Sequence, residues 1–120
     1  MNIEEFREHC LAVKGAEECF PFDDTVLVFK IVGKMFAYIS IAPADGRFKA
    51  NLKGDPDRSV ELRERYDGVG VGHHPSTLLW NGVLLDSDVS DELIAELIGH
   101  SVDEVVKKLT KAKRQEYLDL

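Results

Sequence analysis

Cysteine is scarce in this chain: 120 residues hold two, Cys10 and Cys19, and they do not form a CxxC pair. That excludes a disulfide scaffold and a thiol-based zinc or redox motif. Long apolar runs are missing too. No stretch approaches the roughly 20 residues that a membrane-spanning helix needs, so no membrane partner is expected. Positive charge is in the minority, with 15 Lys and Arg against 22 Asp and Glu and a net charge of −7. Such a balance favours solubility and speaks against a domain whose whole surface tracks nucleic-acid phosphates, since those are usually basic.

Motifs that carry chemistry are sparse as well. There is no GxSxG elbow, paired-carboxylate motif or nucleophile with an evident base, so no enzyme is expected. Cys10 falls on the apolar side of its segment, where a thiol is inert. The glycine-rich stretch Gly68-Val69-Gly70-Val71-Gly72 fits neither GxGxxG nor GxxxxGK. It also follows a helix and leads into a strand, the reverse of a phosphate-cradling context, and so reads as a connector. The four histidines include no HxxxH pair, and adjacent His73 and His74 would point apart on a strand. No metal and no cofactor are expected. The first residues carry acids where a secretory leader would carry bases, which suggests a cytoplasmic location.

What remains is an ordinary globular composition, with 44% hydrophobic and 31% charged residues. One domain over 1–120 fits it, without repeats or low-complexity segments. Ile3, Phe6, Cys10, Leu11 and Val13 predict a helix over about 3–14, with Asn2 and Glu5 forming a capping box. Two β-branched, aromatic-rich runs over 25–32 and 35–41, separated by Gly33-Lys34, predict a hairpin. Residues 47–53 alternate polar and apolar, as a third antiparallel strand with one wet face does. Asp55-Pro56 starts a second helix to about 66. The run 78–85 reads as strand interrupted near Asn81-Gly82. Ser90 opens a short acidic helix ending near Gly99, and Ser101 with Glu104 caps a separate helix over about 102–112. The expected fold is an α+β two-layer sandwich, an antiparallel sheet with helices on one face, in the order α-β-β-β-α-β-β-α-α.

Within this frame the residues resemble the MmcQ/YjbR family of small bacterial proteins. The resemblance is carried by Lys14-Gly15-Ala16-Glu17-Glu18, Phe20-Pro21-Phe22, the run Phe29 to Ala37, and Leu52-Lys53-Gly54-Asp55-Pro56. It continues in Leu62-Arg63-Glu64-Arg65-Tyr66, Trp80-Asn81 and His100-Ser101 leading into Val105 to Leu109. What it implies is a two-layer α-β(3)-α-β(2)-α fold, similar to frataxin-like and secretion-chaperone-like folds. It also implies DNA binding through a double-wing arrangement of the sheet, with no assigned enzymatic activity. The run before the tryptophan, His74-Pro75-Ser76-Thr77-Leu78-Leu79-Trp80, departs from the family pattern by lacking its lysine.

Two groups of residues are candidates for that binding. From Val26 to Lys53 there are five bases, Lys30, Lys34, Arg47, Lys49 and Lys53, against one acid, Asp45. Alternation places Arg47, Lys49, Asn51 and Lys53 on one face, opposite Phe48, Ala50 and Leu52. If Phe36 and Tyr38 share that face, aromatics sit among cations, as on surfaces that stack bases and hold phosphates. Trp80, and His74 before it, would extend the site. The plainer reading is a solvated outer face that discourages aggregation. The second group is the run Lys107 to Arg114, five bases without an acid, including Lys107, Lys108 and Lys111. It could reach a phosphate backbone, or it could complement a helix C-terminus and the seven acids between Asp86 and Glu104. The expectation is a non-enzymatic DNA-binding monomer. The alternative is a protein-interaction or chaperone-like module that binds no nucleic acid.

Overall fold

The computed structural model describes residues 1–72 and 79–120. The first helix, α1 (Ile3–Leu11), starts with the expected box: Asn2 accepts from the Glu5 amide at 2.8 Å and its own amide donates back to the Glu5 carboxylate. Four strands follow, β1 (Glu17–Cys19), β2 (Val26–Ile31), β3 (Lys34–Ser40) and β4 (Lys49–Lys53). Asp55 caps α2 (Pro56–Arg65), which leads to β5 (Val69–Val71) and β6 (Trp80–Leu84). Ser90 caps α3 (Asp91–Lys107) and Thr110 caps α4 (Lys111–Leu118). The strands form a sheet in the order β1-β2-β3-β4-β6-β5, every described pairing antiparallel.

One face of this sheet is covered by helices. Phe6 and Cys10 of α1, Leu62 of α2 and Ile94, Leu97, Ile98, Val102 and Val105 of α3 pack in one core with Leu27, Phe29, Ile31, Ile39, Ala50, Leu52 and Val83 of the sheet. Phe6 meets Phe29 edge-on, with ring centroids 6.1 Å apart. Apolar residues three and four apart on each helix therefore meet alternate residues on each strand, which is why one contiguous core results. The fold is α+β, with an antiparallel sheet and its helix layer on one face.

Four expectations need correction. Glu17–Cys19 is a strand that the sequence order omitted; it is acidic, only three residues long and without alternation, and it exists because it pairs with β2. Gly99 does not end a helix, and no separate helix spans 102–112: α3 runs through Gly99 to Lys107, the last helix is α4 at Lys111–Leu118, and the hydroxyl of Ser101 is no cap but is buried against the sheet. Asn81-Gly82 does not interrupt its strand. Asn81 binds Ser59 and Arg63 of α2, while Gly82 lies in register with Asn51 on one side and Gly70 on the other. The second strand of that pair is β5, inside the glycine-rich stretch read as a connector.

The fourth correction concerns Phe36. Phe29 pairs with Ala37 but Lys30 pairs with Met35, so Phe36 is an extra residue in β3. This β-bulge breaks the period of two. Phe36 turns into the helix-covered core, its ring centroid 6.3 Å from that of Phe29, while Tyr38 stays on the opposite face. The turn between β2 and β3 is made by Val32 and Gly33, at φ 42° and 79°. Both central residues of a type I′ turn need positive φ, which strains a β-branched residue. Packing of Val32 against the core offsets that strain.

Candidate functional site

The face away from the helices carries a cross-strand row: Cys19, Val28, Tyr38, Asn51, Gly82 and Gly70 stand opposite one another across the six strands. Its centre is a small second core of Val28, Tyr38 and Trp80. The Tyr38 and Trp80 rings lie 5.3 Å apart, and the two residues are 8% and 5% exposed. Burial pushes the Tyr38 hydroxyl up to about 12. The aromatic pair forms a largely buried floor.

Around this floor the basic residues separate into groups. Lys49 and Lys53 flank Asn51 on β4, as alternation requires. At one end of the strand, Arg47 and Lys49 border a cavity of about 360 Å³ together with Asp45 and Ser40. Arg47 also donates to the Asp86 carbonyl at 3.4 Å. Lys30 stands apart, in register with Glu17 of the edge strand.

The other end of β4 is different. Lys53, Lys34 from the start of β3 and Lys108 from the end of α3 line a single cavity of about 220 Å³, walled by Met35, Val105 and Leu109. No carboxylate of the described residues lines it, and none of the three lysines forms an ion pair among them. Burial, and then the neighbouring charge of Lys108, hold the Lys53 ammonium below the usual lysine range, against a smaller opposing pull from Glu104. Like charges gathered in one place repel, and an anion bound among them relieves that repulsion.

The scaffold holds Lys53 firmly. Ser101 of α3 accepts a hydrogen bond from the Lys53 amide at 2.9 Å and donates one to the Phe36 carbonyl at 2.5 Å. A buried serine thus ties α3 to both strands that carry cavity lysines. Its signal was present in the sequence: Ser101 continues the apolar stripe of Ile94, Leu97, Ile98, Val102 and Val105, on the buried side of a helix. A second buried network fixes the floor. Arg63 donates to Asn81 at 2.8 Å and to the Trp80 carbonyl at 3.1 Å, and Asn81 donates to Ser59 at 2.8 Å.

The C-terminal bases behave otherwise, except for Lys108. Lys107 pairs with Glu104 at 3.0 Å, and that carboxylate raises its pKa. Arg114 donates to the Lys107 carbonyl at 2.9 Å and the Val106 carbonyl at 3.4 Å, capping α3. Lys113 lies 3.7 Å from Glu116. Lys111 is exposed on the first turn of α4. His74 lies outside the described residues.

Glu104 is close enough to act on Lys53, but it is paired with Lys107 and does not line the cavity. The acidic segment between Asp86 and Glu104 belongs mainly to α3, which packs on the helix-covered face. Among the described residues no group of three potential metal ligands converges. No described helix is long and apolar enough to cross a membrane. Cys10 is fully buried, and burial pushes its thiol well above the range in which it ionises at neutral pH.

The model of the YjbR family matches residues 11–103. The chain belongs to the YjbR family. Two relatives from Escherichia coli support this, each named an uncharacterized protein. YjbR of strain K12 is 28% identical over 115 residues, covering 96% of both chains. YbdF of strain O157:H7 is 34% identical over 101 residues, covering 84% of this chain and 81% of its own. Among solved structures, a Deinococcus radiodurans protein with a DUF419 domain superposes with a TM-score of 0.87 at 36% identity. That match covers 97% of this chain and 87% of the other. A Pseudomonas syringae protein shares the fold at a TM-score of 0.73 and 23% identity, over 84% of this chain and 96% of its own. The sandwich is therefore the YjbR fold.

Proposed function

We propose that this YjbR protein binds the phosphate backbone of nucleic acid, DNA in the first instance, without catalysing a reaction. The observation that carries this reading is the convergence of Lys34, Lys53 and Lys108 on one cavity that no described carboxylate lines. Lys49, Arg47 and Lys30 extend the positive surface along the sheet, and Lys111 lies beyond the end of α3. Tyr38 and Trp80 serve as a rigid floor, because their burial leaves little ring surface for a base to stack on. Binding of this kind reads charge rather than sequence. In this reading the protein acts as a cytoplasmic monomer.

Fluorescence anisotropy with a labelled DNA duplex, at rising salt, tests the reading. Affinity should fall with a log–log slope of about −2.7 if three phosphates are neutralised. Binding no stronger than that of a polyglutamate control contradicts it.

A second reading is supported by a separate surface. A groove of about 530 Å³ lies between α1 and the β1 side of the sheet, near exposed Phe20, Phe22 and Ile41. Its border carries Glu4 and the Arg7–Glu18 ion pair, and its lining is largely apolar, which suits a peptide with an apolar anchor. Salt-tolerant recovery of one protein partner, unaffected by nuclease and lost on Phe22→Ser, would favour this reading over the first.

A further inference from the structure

We propose that the cavity between the start of β3, the end of β4 and the end of α3 takes a phosphomonoester, preferring the terminal phosphate of a nucleic-acid strand to an internal diester. This rests on the nucleic-acid reading and narrows it to one ligand chemistry. Three lysines line the cavity, Lys34, Lys53 and Lys108. A phosphomonoester presents three terminal oxygens and carries about −1.5 to −2 charges near neutral pH. An internal diester offers two such oxygens and a single charge. It would leave the cluster with more surplus positive charge than a monoester does.

Two further features suit a dianion. A helix C-terminus ordinarily repels an anion, because its last carbonyls are unsatisfied. Here the guanidinium of Arg114 covers the carbonyls of Val106 and Lys107, which places a further cation at the end of α3 instead. Met35, Val105 and Leu109 line the cavity beside the lysines and give the long lysine stems apolar surface to lie on. Lys53 is anchored through Ser101, and Lys34 follows the tight Val32-Gly33 turn, so two of the three donors start from fixed backbone.

The same chemistry could be offered by a strand end or by a free nucleoside monophosphate. Anisotropy with 3′-labelled single-stranded DNA bearing either a 5′-phosphate or a 5′-hydroxyl, with adenosine monophosphate as competitor, separates them. The phosphorylated strand should bind at least about five- to tenfold more tightly, as expected for the added monoester charge of about −1.5 to −2 close to several cations. Lys108→Gln, a change at an exposed position checked for folding by circular dichroism, should remove that preference. Equal affinity of the two strands, both salt-dependent, overturns the monoester site and leaves the nucleic-acid reading intact. If neither strand binds above the polyglutamate control, the nucleic-acid reading fails and the strand-end ligand with it. Competition by the monophosphate at concentrations matching the phosphorylated strand overturns the strand end and assigns the cavity to the free nucleotide.

Discussion

The protein gathers lysines in two places, and they differ in what surrounds each charge. From the end of α3 onwards, Lys107 is paired with Glu104, Lys113 with Glu116, and Arg114 with helix carbonyls. At the end of β4, Lys34, Lys53 and Lys108 meet around a cavity with no described carboxylate in its lining. The first set is consumed by the fold. The second forms no ion pair among the described residues. Density of positive charge along the chain is highest in the tail, yet unpaired positive charge is concentrated where three distant segments converge.

The largest effect should come from removing one set and not the other. Replacing Lys34, Lys53 and Lys108 together with Ala should weaken DNA binding at low salt at least about tenfold and flatten the salt slope by about 0.9 per lost contact. The matched triple at Lys107, Lys111 and Lys113 should change affinity less than about twofold, because two of its three cations are engaged within the protein. Equal losses in the two triples, read by anisotropy, would erase the distinction.

Next in size is Ser101→Ala, which leaves the buried Phe36 carbonyl and the Lys53 amide without their shared partner. It should cost about 1–3 kcal/mol in urea unfolding and weaken DNA binding as Lys53 loses its anchor. A mutant of unchanged stability would mean that the serine is dispensable to the site.

A smaller effect follows from pH. The Lys53 pKa is lowered in the folded state, so the unfolded chain holds its proton to higher pH. Stability should therefore rise with pH through the interval between the folded value and about 10.5, and the Lys53 contribution is lost again as pH falls through the folded value. Anion binding should change in the opposite sense, weakening as Lys53 deprotonates below the usual lysine range. Lys34 and Lys108 beside it and Glu104 nearby share that environment. Lys53→Met should abolish both slopes.

The smallest expected change is Gly99→Ala. Gly99 lies inside α3 with nothing within 4 Å of an added Cβ, and its φ is not positive. Alanine should stabilise the protein by about 0.5–1 kcal/mol without touching DNA affinity. Destabilisation would restore the helix break that the sequence suggests.

Local signals were legible and long-range ones were not. Alternation from Lys49 to Lys53 was enough to put both lysines and Asn51 on the open face, and Asn2, Asp55 and Ser90 cap the helices they were expected to open. Phe36 was misplaced because a bulge shifts the phase by one residue, and nothing local announces it. Ser101 looked like a cap because Ser-x-x-Glu is the capping pattern, while its place on the apolar stripe was the better clue. The glycine-rich stretch concealed β5, whose Gly70 and Val71 gain strand geometry from pairing with β6. Above all, Lys34, Lys53 and Lys108 are far apart in the chain: the pairing of β3 with β4 brings the first two together, and the docking of α3 adds the third.

The most direct measurement is an NMR titration that follows backbone amides and lysine side chains while a short 5′-phosphorylated DNA strand is added. The account predicts saturable shifts centred on Lys34, Lys53, Lys108 and Leu109, with Lys113, Glu116 and the α1 groove unmoved. Shifts centred on α4 or on Phe20 and Phe22, with the three lysines silent, would contradict it.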